Sequence, residues 1–170
     1  MIYIKKLNLE DIEKEYQFLQ EFPSENGFNN KQQHLSFEYF LNQEFPMLIN
    51  HARGINLPTG FVPYTIYFLW KDDLIVGLFK FRHYLNDHLK EGSGHIGFGI
   101  HPKYRNQGYA TKGLNLLLHE IKPILLEDEI YMCCYKDNDA SKKVQINNGA
   151  YFHHEDEDDV FYRIKKEDIK

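Results

Sequence analysis

A single mixed α/β domain is the fold class this sequence predicts, and three observations carry that reading. The 170 residues make one domain of ordinary size. Strand-like and helix-like apolar spacings alternate along the chain, with no internal repeat and no low-complexity tract. The composition, 42% hydrophobic and 26% charged, supplies enough apolar surface for one core without disulfide or metal support.

The elements follow in order. Ile2–Lys6 reads as a short strand. Asn8 with Asp11 three residues later signals a helix start, and Leu9, Ile12, Tyr16 and Leu19 recur at helical spacing to about Phe22. Pro23-Ser24-Glu25-Asn26-Gly27 ends that helix. A second helix is expected from Ser36 to about Ala52, kinked or split at Pro46. Gly54, Pro58, Gly60 and Pro63 then mark a packed loop. Thr65–Trp70 and Leu74–His83, either side of Lys71-Asp72-Asp73, read as an antiparallel hairpin, and His95–Ile100 as a third strand of this group. Ala110, Leu114, Leu117, Leu118 and Ile121 define a helix from about Gly108 to Lys122. Strand Glu129–Tyr135, helix Asp139–Asn147 and a hairpin of Ala150–His154 with Val160–Lys165 complete the order β-α-α-β-β-β-α-β-α-β-β in one domain, 1–170.

Charge and cysteine content narrow the function classes. A net charge of −5 disfavours a broad basic surface, so neither nucleic acid nor an anionic membrane is an expected partner. Cys133 and Cys134 are adjacent and cannot close a useful loop, and no apolar stretch reads as a signal or a span. A soluble, reduced, cytoplasmic protein is expected. On a strand, one cysteine should face a cleft and the other the opposite side, both as structural thiols. By the same alternation His153 and His154 should point apart, and no metal site is expected.

Two glycine motifs need separating. Gly92-Ser93-Gly94-His95-Ile96-Gly97 matches the dinucleotide fingerprint in letters, but it runs into a strand where the phosphate mechanism needs a helix N-terminus. Arg105-Asn106-Gln107-Gly108-Tyr109-Ala110 has the right context, between a strand and an amphipathic helix. From Gly92 to His119 there is no Asp or Glu, while Lys103, Arg105 and Lys112 are present. Unpaired N–H groups in acid-free surroundings suit a phosphate or pyrophosphate.

Arg105-x-x-Gly108-x-Ala110 after Ile100-His101-Pro102 resembles the coenzyme A motif of the GNAT superfamily of N-acetyltransferases. Asn138-x-x-Ser141-x-x-Val144 followed by Asn148-Gly149-Ala150-Tyr151 is similar to that family's second block, so the resemblance spans about Thr65 to Phe152. Arg82-His83-x-Leu85-Asn86, Gly94-His95-Ile96-Gly97 and Leu57-Pro58-x-Gly60-x-Val62-Pro63 look like a bacterial subgroup of predicted acetyltransferases.

The resemblance implies a GNAT-like fold with splayed central strands and acetyl-CoA as co-substrate. It implies pyrophosphate on the backbone amides of Asn106, Gln107, Gly108, Tyr109, Ala110 and Thr111, with Arg105 alongside. The pantetheine would lie along the backbone of Phe98, Gly99 and Ile100, contacting Asn138 and Ser141. The reaction it implies is direct attack of an amine on the thioester in a ternary complex, with a small molecule or a peptide as the acceptor. Dimers are common in such families, so the resemblance admits a homodimer. The family's proton-donating Tyr falls at Gln145, which leaves water, Tyr135 or another group to protonate the thiolate, and leaves open a catalytically silent acyl-CoA-binding protein. His95, with an unperturbed pKa near 6.5, is the first candidate base or relay, and His83 the second. The acceptor site is expected within Pro23–Pro63, whose Phe28, Phe37, Tyr39, Phe40 and Phe45 either line it or fill the core.

Overall fold

The computed structural model describes residues 1–169. The elements are β1 (Ile2–Lys6), α1 (Ile12–Glu21), α2 (Phe37–Tyr39), α3 (Phe45–Ala52), β2 (Tyr64–Lys71), β3 (Leu74–Arg82), α4 (Asp87–Lys90), β4 (Ile96–Ile100), α5 (Tyr109–Ile121), β5 (Glu129–Tyr135), α6 (Asp139–Asn147), β6 (Tyr151–Glu155) and β7 (Asp159–Lys165). The strands form two antiparallel sheets, ordered β1-β2-β3-β4 and β5-β7-β6.

Alternation along β2 and β3 divides the core into two layers. Ile66, Phe68, Trp70 and Leu78 face α1 and α3 on the front, while Tyr67, Leu69, Phe79 and Phe81 face α5 on the back. Back-face packing is tight enough to require a glycine in α5: a Cβ on Gly113 would lie 2.6 Å from Phe79 and 2.8 Å from Leu69. The back layer continues through Ile130, Met132, Val160 and Ile164, so one apolar core joins the two sheets.

Local departures from the expected pattern have identifiable causes. The second helix is continuous from α2 to α3 through a π-turn at Phe40–Glu44. Pro46 lies in the first turn of α3, and the widened turn just before it accommodates a ring that cannot donate a hydrogen bond. At the first helix, Asn8 Oδ1 accepts from the Asp11 N–H (3.0 Å), but the reciprocal partner is the buried Glu15, whose carboxyl accepts the Asn8 N–H (3.2 Å). Burial pushes the Glu15 pKa up to about 8. The expectation that His153 and His154 point apart is corrected. A register shift between Phe152 and His154 brings the two rings together, with Nδ1 atoms 2.7 Å apart.

Among the described residues, the backbones of β4 and β5 hydrogen-bond to each other at one place. His95 N–H donates to Tyr131 C=O (2.8 Å), and Tyr131 N–H donates to His95 Nδ1 (2.9 Å). Beyond this clasp β4 and β5 have no ladder between them, so they splay as expected. Gly94 permits the close approach. Its φ is +62°, and a Cβ there would lie 2.1 Å from the Tyr131 carbonyl oxygen. Gly94→Ala should therefore cost about 3 kcal/mol or more in urea unfolding. Gly97→Ala, whose Cβ would have its nearest neighbour at 3.9 Å, should stay within about 1 kcal/mol of the parent.

Candidate functional site

The splay leaves two strand edges with unused backbone groups. On β4, the Arg82 N–H to His95 C=O bond (2.8 Å) and the His101 N–H to Val76 C=O bond (3.0 Å) fix the alternation with β3. Gly97 and Gly99 therefore spend their backbone groups on β3, and Ile96, Phe98 and Ile100 turn theirs toward the gap. On β5, the Lys136 N–H to Asp158 C=O bond (2.9 Å) fixes the register with β7, which turns Tyr131, Cys133 and Tyr135 toward β4. Of the three residues expected to offer backbone to a pantetheine arm, Phe98 and Ile100 face the gap and Gly99 does not. Ile100 C=O is already taken by Arg105 Nε (3.0 Å).

At the open end of the gap lies the loop before α5. Asn106 (φ +61°) and Gly108 (φ +75°) are both left-handed, Gly108 as the helix N-cap. Two such residues one apart curl the chain so that its amides converge. From Asn106 onward, the first amide engaged in a protein hydrogen bond is Lys112 N–H, to Gly108 C=O (3.2 Å). Among the described residues, no N–H from Asn106 to Thr111 has an acceptor. With the positive end of α5 behind them, these amides form a cradle for an anion.

The N-terminal segment closes over the gap. Glu25 and Phe28 exchange backbone hydrogen bonds (3.0 and 2.8 Å) around Asn26 (φ +50°) and Gly27 (φ +80°). Asn-Gly at two positive-φ positions is the preferred chemistry for such a tight turn. It carries Glu25 to an ion pair with Arg105, Phe28 to the face of Gly97 and Gly27 to the Tyr135 hydroxyl. Of the five aromatics considered for an acceptor site, Phe28 lies over β4. Phe40 is fully buried and Phe37 packs with Tyr16, so both serve the front core.

Asn138 and Ser141 lie beyond the end of β5. The Asn138 side chain caps α6 by accepting from Ser141 N–H (3.1 Å), and Ser141 Oγ accepts from Gln145 Nε2 (3.1 Å). Gln145 is fully buried and its Oε1 has no partner among the described residues. The two cysteines diverge as strand neighbours do: Cys134 packs toward Gln145 and the back core, and Cys133 lies on the other face, within reach of the Arg82 charge. Burial raises both thiols, that of Cys133 to about 11, so neither is poised as a nucleophile. No group of three or more metal-ligating side chains occurs among the described residues.

The structure places His95, the first candidate base or relay, as a tie between the sheets. It is fully buried, Nδ1 accepts from Tyr131 N–H, and Nε2 donates to Glu127 (3.1 Å). Both ring nitrogens are used, and none remains for a substrate proton. Burial lowers its pKa despite the Glu127 carboxylate. Burial acts to raise Glu127, but the hydrogen bonds from His95 and the Leu85 N–H hold it below the ordinary carboxylate value. The second candidate, His83, gives Nε2 to Thr65 Oγ1 (2.7 Å).

Comparisons with known proteins bear on the family and the fold. The acetyltransferase (GNAT) domain family model matches residues 3–150. No curated protein matches the chain in sequence. Among solved structures, a probable acetyltransferase superposes with a TM-score of 0.70 at 16% identity, over 98% of this chain and 93% of its own. RimJ of Mycobacterium smegmatis, in complex with CoA-disulfide, gives 0.69 at 16% identity, over 98% and 82%. RimL, a ribosomal L7/L12 alpha-N-protein acetyltransferase in complex with coenzyme A, gives 0.66 at 14% identity, over 96% and 93%. At these identities the superpositions show the fold.

The His95 assignment has a pH signature. Its folded pKa lies below the unfolded value of 6.5, so the unfolded chain takes up the proton first as pH falls. The stability it contributes is complete above about pH 6.5 and is lost progressively as the pH drops toward the folded value. His95→Gln should therefore cost about 1–3 kcal/mol at pH 7.5, with a smaller gap to the parent at pH 5. A gap that is constant across that range, in parallel denaturation series, would contradict the buried neutral ring.

Proposed function

The chain belongs to the GNAT acetyltransferase family, and we propose that it transfers the acetyl group of acetyl-CoA to a primary amine by direct attack in a ternary complex. The observation that carries this reading is the continuity of two unsatisfied surfaces. The amide cradle from Asn106 to Thr111 opens onto the gap edge of β4, where Phe98 and Ile100 present backbone groups. A ligand with a pyrophosphate at one end and an amide-bearing arm at the other matches both, the arm pairing as an added strand would.

When bound, acetyl-CoA supplies an activated thioester. The chain's part is to hold and orient. The cradle takes the pyrophosphate, Arg105 flanks it, and the gap-facing N–H groups of β4 lie where a carbonyl oxygen gaining charge needs donors. Phe22 and Phe28 cover Gly99 and Gly97 and keep water from this segment. Asn138 retains its amide N–H groups for the arm, since only its oxygen is spent on the α6 cap. Gln145, a neutral amide already bonded to Ser141, is not a proton donor for the thiolate, so that proton comes from water or Tyr135.

One observation favours a silent acyl-CoA-binding protein instead: Gln145 stands at the family's acid position while His95 is locked as a tie. The two readings separate cleanly. A transferase releases thiol from acetyl-CoA in proportion to added amine, whereas a binder shows only a CoA-induced rise in melting temperature. Both depend on the cradle. Gly108→Glu finds open space for its Cβ but puts a carboxylate among the amides at a left-handed position. It should fold with about 1 kcal/mol of backbone strain. It should also lose the ligand stabilisation of about 2.7 kcal/mol that a hundredfold excess of CoA over Kd gives the parent. Retention of the CoA-induced shift would sink this placement of the pyrophosphate.

A further inference from the structure

Two half-buried cations stand beside the gap without a counter-charge among the described residues. Lys80 and Arg82 lie two residues apart on the front face of β3, Lys80 directly opposite Gly97 of β4. Because Gly97 has no side chain, the space above it is bounded by Phe28 and by β3. Arg82 Nη1 donates to Gly94 C=O (3.1 Å), the only hydrogen bond its guanidinium makes among the described residues. The Lys80 ammonium rests 3.9 Å from the centre of the Tyr64 ring, and the Tyr64 hydroxyl bonds His51 Nδ1 (3.0 Å).

Neither cation forms an ion pair with a described residue. The charged groups acting on Lys80 are Arg82 and Lys31, both positive. Burial and these like charges pull the Lys80 pKa down to about 8. Glu44, the carboxylate acting on Tyr64, is held by Gln32 Nε2 (2.7 Å) and pairs with neither cation. Charge drawn partly out of water is costly unless it is matched, and in a chain of net −5 no described residue matches it. The pair also lies toward the clasped end of the gap, away from the pyrophosphate cradle beyond Ile100, so the anion of the cofactor does not satisfy it.

We infer that the amine acceptor carries an anionic group, a carboxylate or a phosphate monoester, received by Lys80 and the free N–H groups of Arg82 above Gly97. This rests on the acetyltransferase reading and adds the substrate class to it. The unspent guanidinium donors and the ammonium together suit two oxygens of one anion, and Phe28 and Tyr64 exclude water from the contact.

The test uses matched acceptors with acetyl-CoA and thiol-release detection: the L-amino acids against their carboxamides, and O-phosphoethanolamine against ethanolamine. The charged member of at least one pair should show at least tenfold higher kcat/KM, mainly through KM, and the pair that does so identifies the anion. Lys80→Met should bring that ratio close to one, Lys80→Arg should restore part of it, and both should keep the CoA-induced rise in melting temperature. Equal turnover of charged and neutral members overturns the inference, as does an unchanged ratio in Lys80→Met or no turnover of any acceptor by CoA-bound protein. In each of those cases the CoA response stands and with it the cofactor site. Absence of a CoA response removes the acetyltransferase reading itself, and this inference with it.

Discussion

The double hydrogen bond between His95 and Tyr131 is the constraint on which the rest of this molecule depends. It holds two separate sheets in contact at one end and, as the only rung between β4 and β5 among the described residues, leaves them apart at the other. Gly94 supplies the room, Glu127 fixes the tautomer from the far side of the ring, and Arg82 bonds the carbonyl of Gly94. A histidine in this position does what a longer ladder could not, since a second rung would close the gap. The buried imidazole therefore serves function by being unavailable to it. Both of its ring nitrogens are committed to architecture.

Much of the fold was legible because the signals are local. The β2–β3 hairpin follows from alternation around Lys71-Asp72-Asp73, and α5 from five apolar residues at helical spacing after Gly108. The cradle was legible for the same reason, since a glycine between a strand and a helix in an acid-free stretch is a short-range pattern. What the sequence concealed depends on pairing. Whether Gly99 or its neighbours face the gap is decided by register with β3, where its partner Leu78 lies 21 residues back. The roles of His95 and Lys80 depend on which side chains come to meet them. The Glu25–Phe28 turn carried a readable Asn-Gly signal, but its significance lies in reaching Arg105 and Gly97, which no local pattern announces. At His153-His154, alternation failed because one extra residue in the strand interrupted it.

Charge tells a similar story at two scales. The surplus of acids over bases is a property of the outer surface, and it hides two inner places that lack carboxylates. One is built from backbone amides and a helix end, the other from Lys80 and Arg82. They lie at opposite ends of the same gap, which suits a reaction whose two reactants approach from opposite sides. The aromatic content divides in a related way. Phe18, Phe40 and Phe68 fill the front core, while Phe22, Phe28 and Tyr64 are spent on keeping the gap dry.

The separation of the sheets along the chain also bears on synthesis. All four strands of the first sheet, with α1 and α3 to cover its front, lie within residues 1–100, whereas the second sheet begins at Glu129. A nascent chain can therefore pair its first strands while Tyr131 is still inside the ribosome, and until Tyr131 emerges the imidazole of His95 has no amide to accept from. During that interval β4 is an open edge next to exposed apolar surface, with nothing yet to splay against it. The gap comes into being only when the last quarter of the chain docks, so truncated products carry the cradle sequence without carrying the cleft.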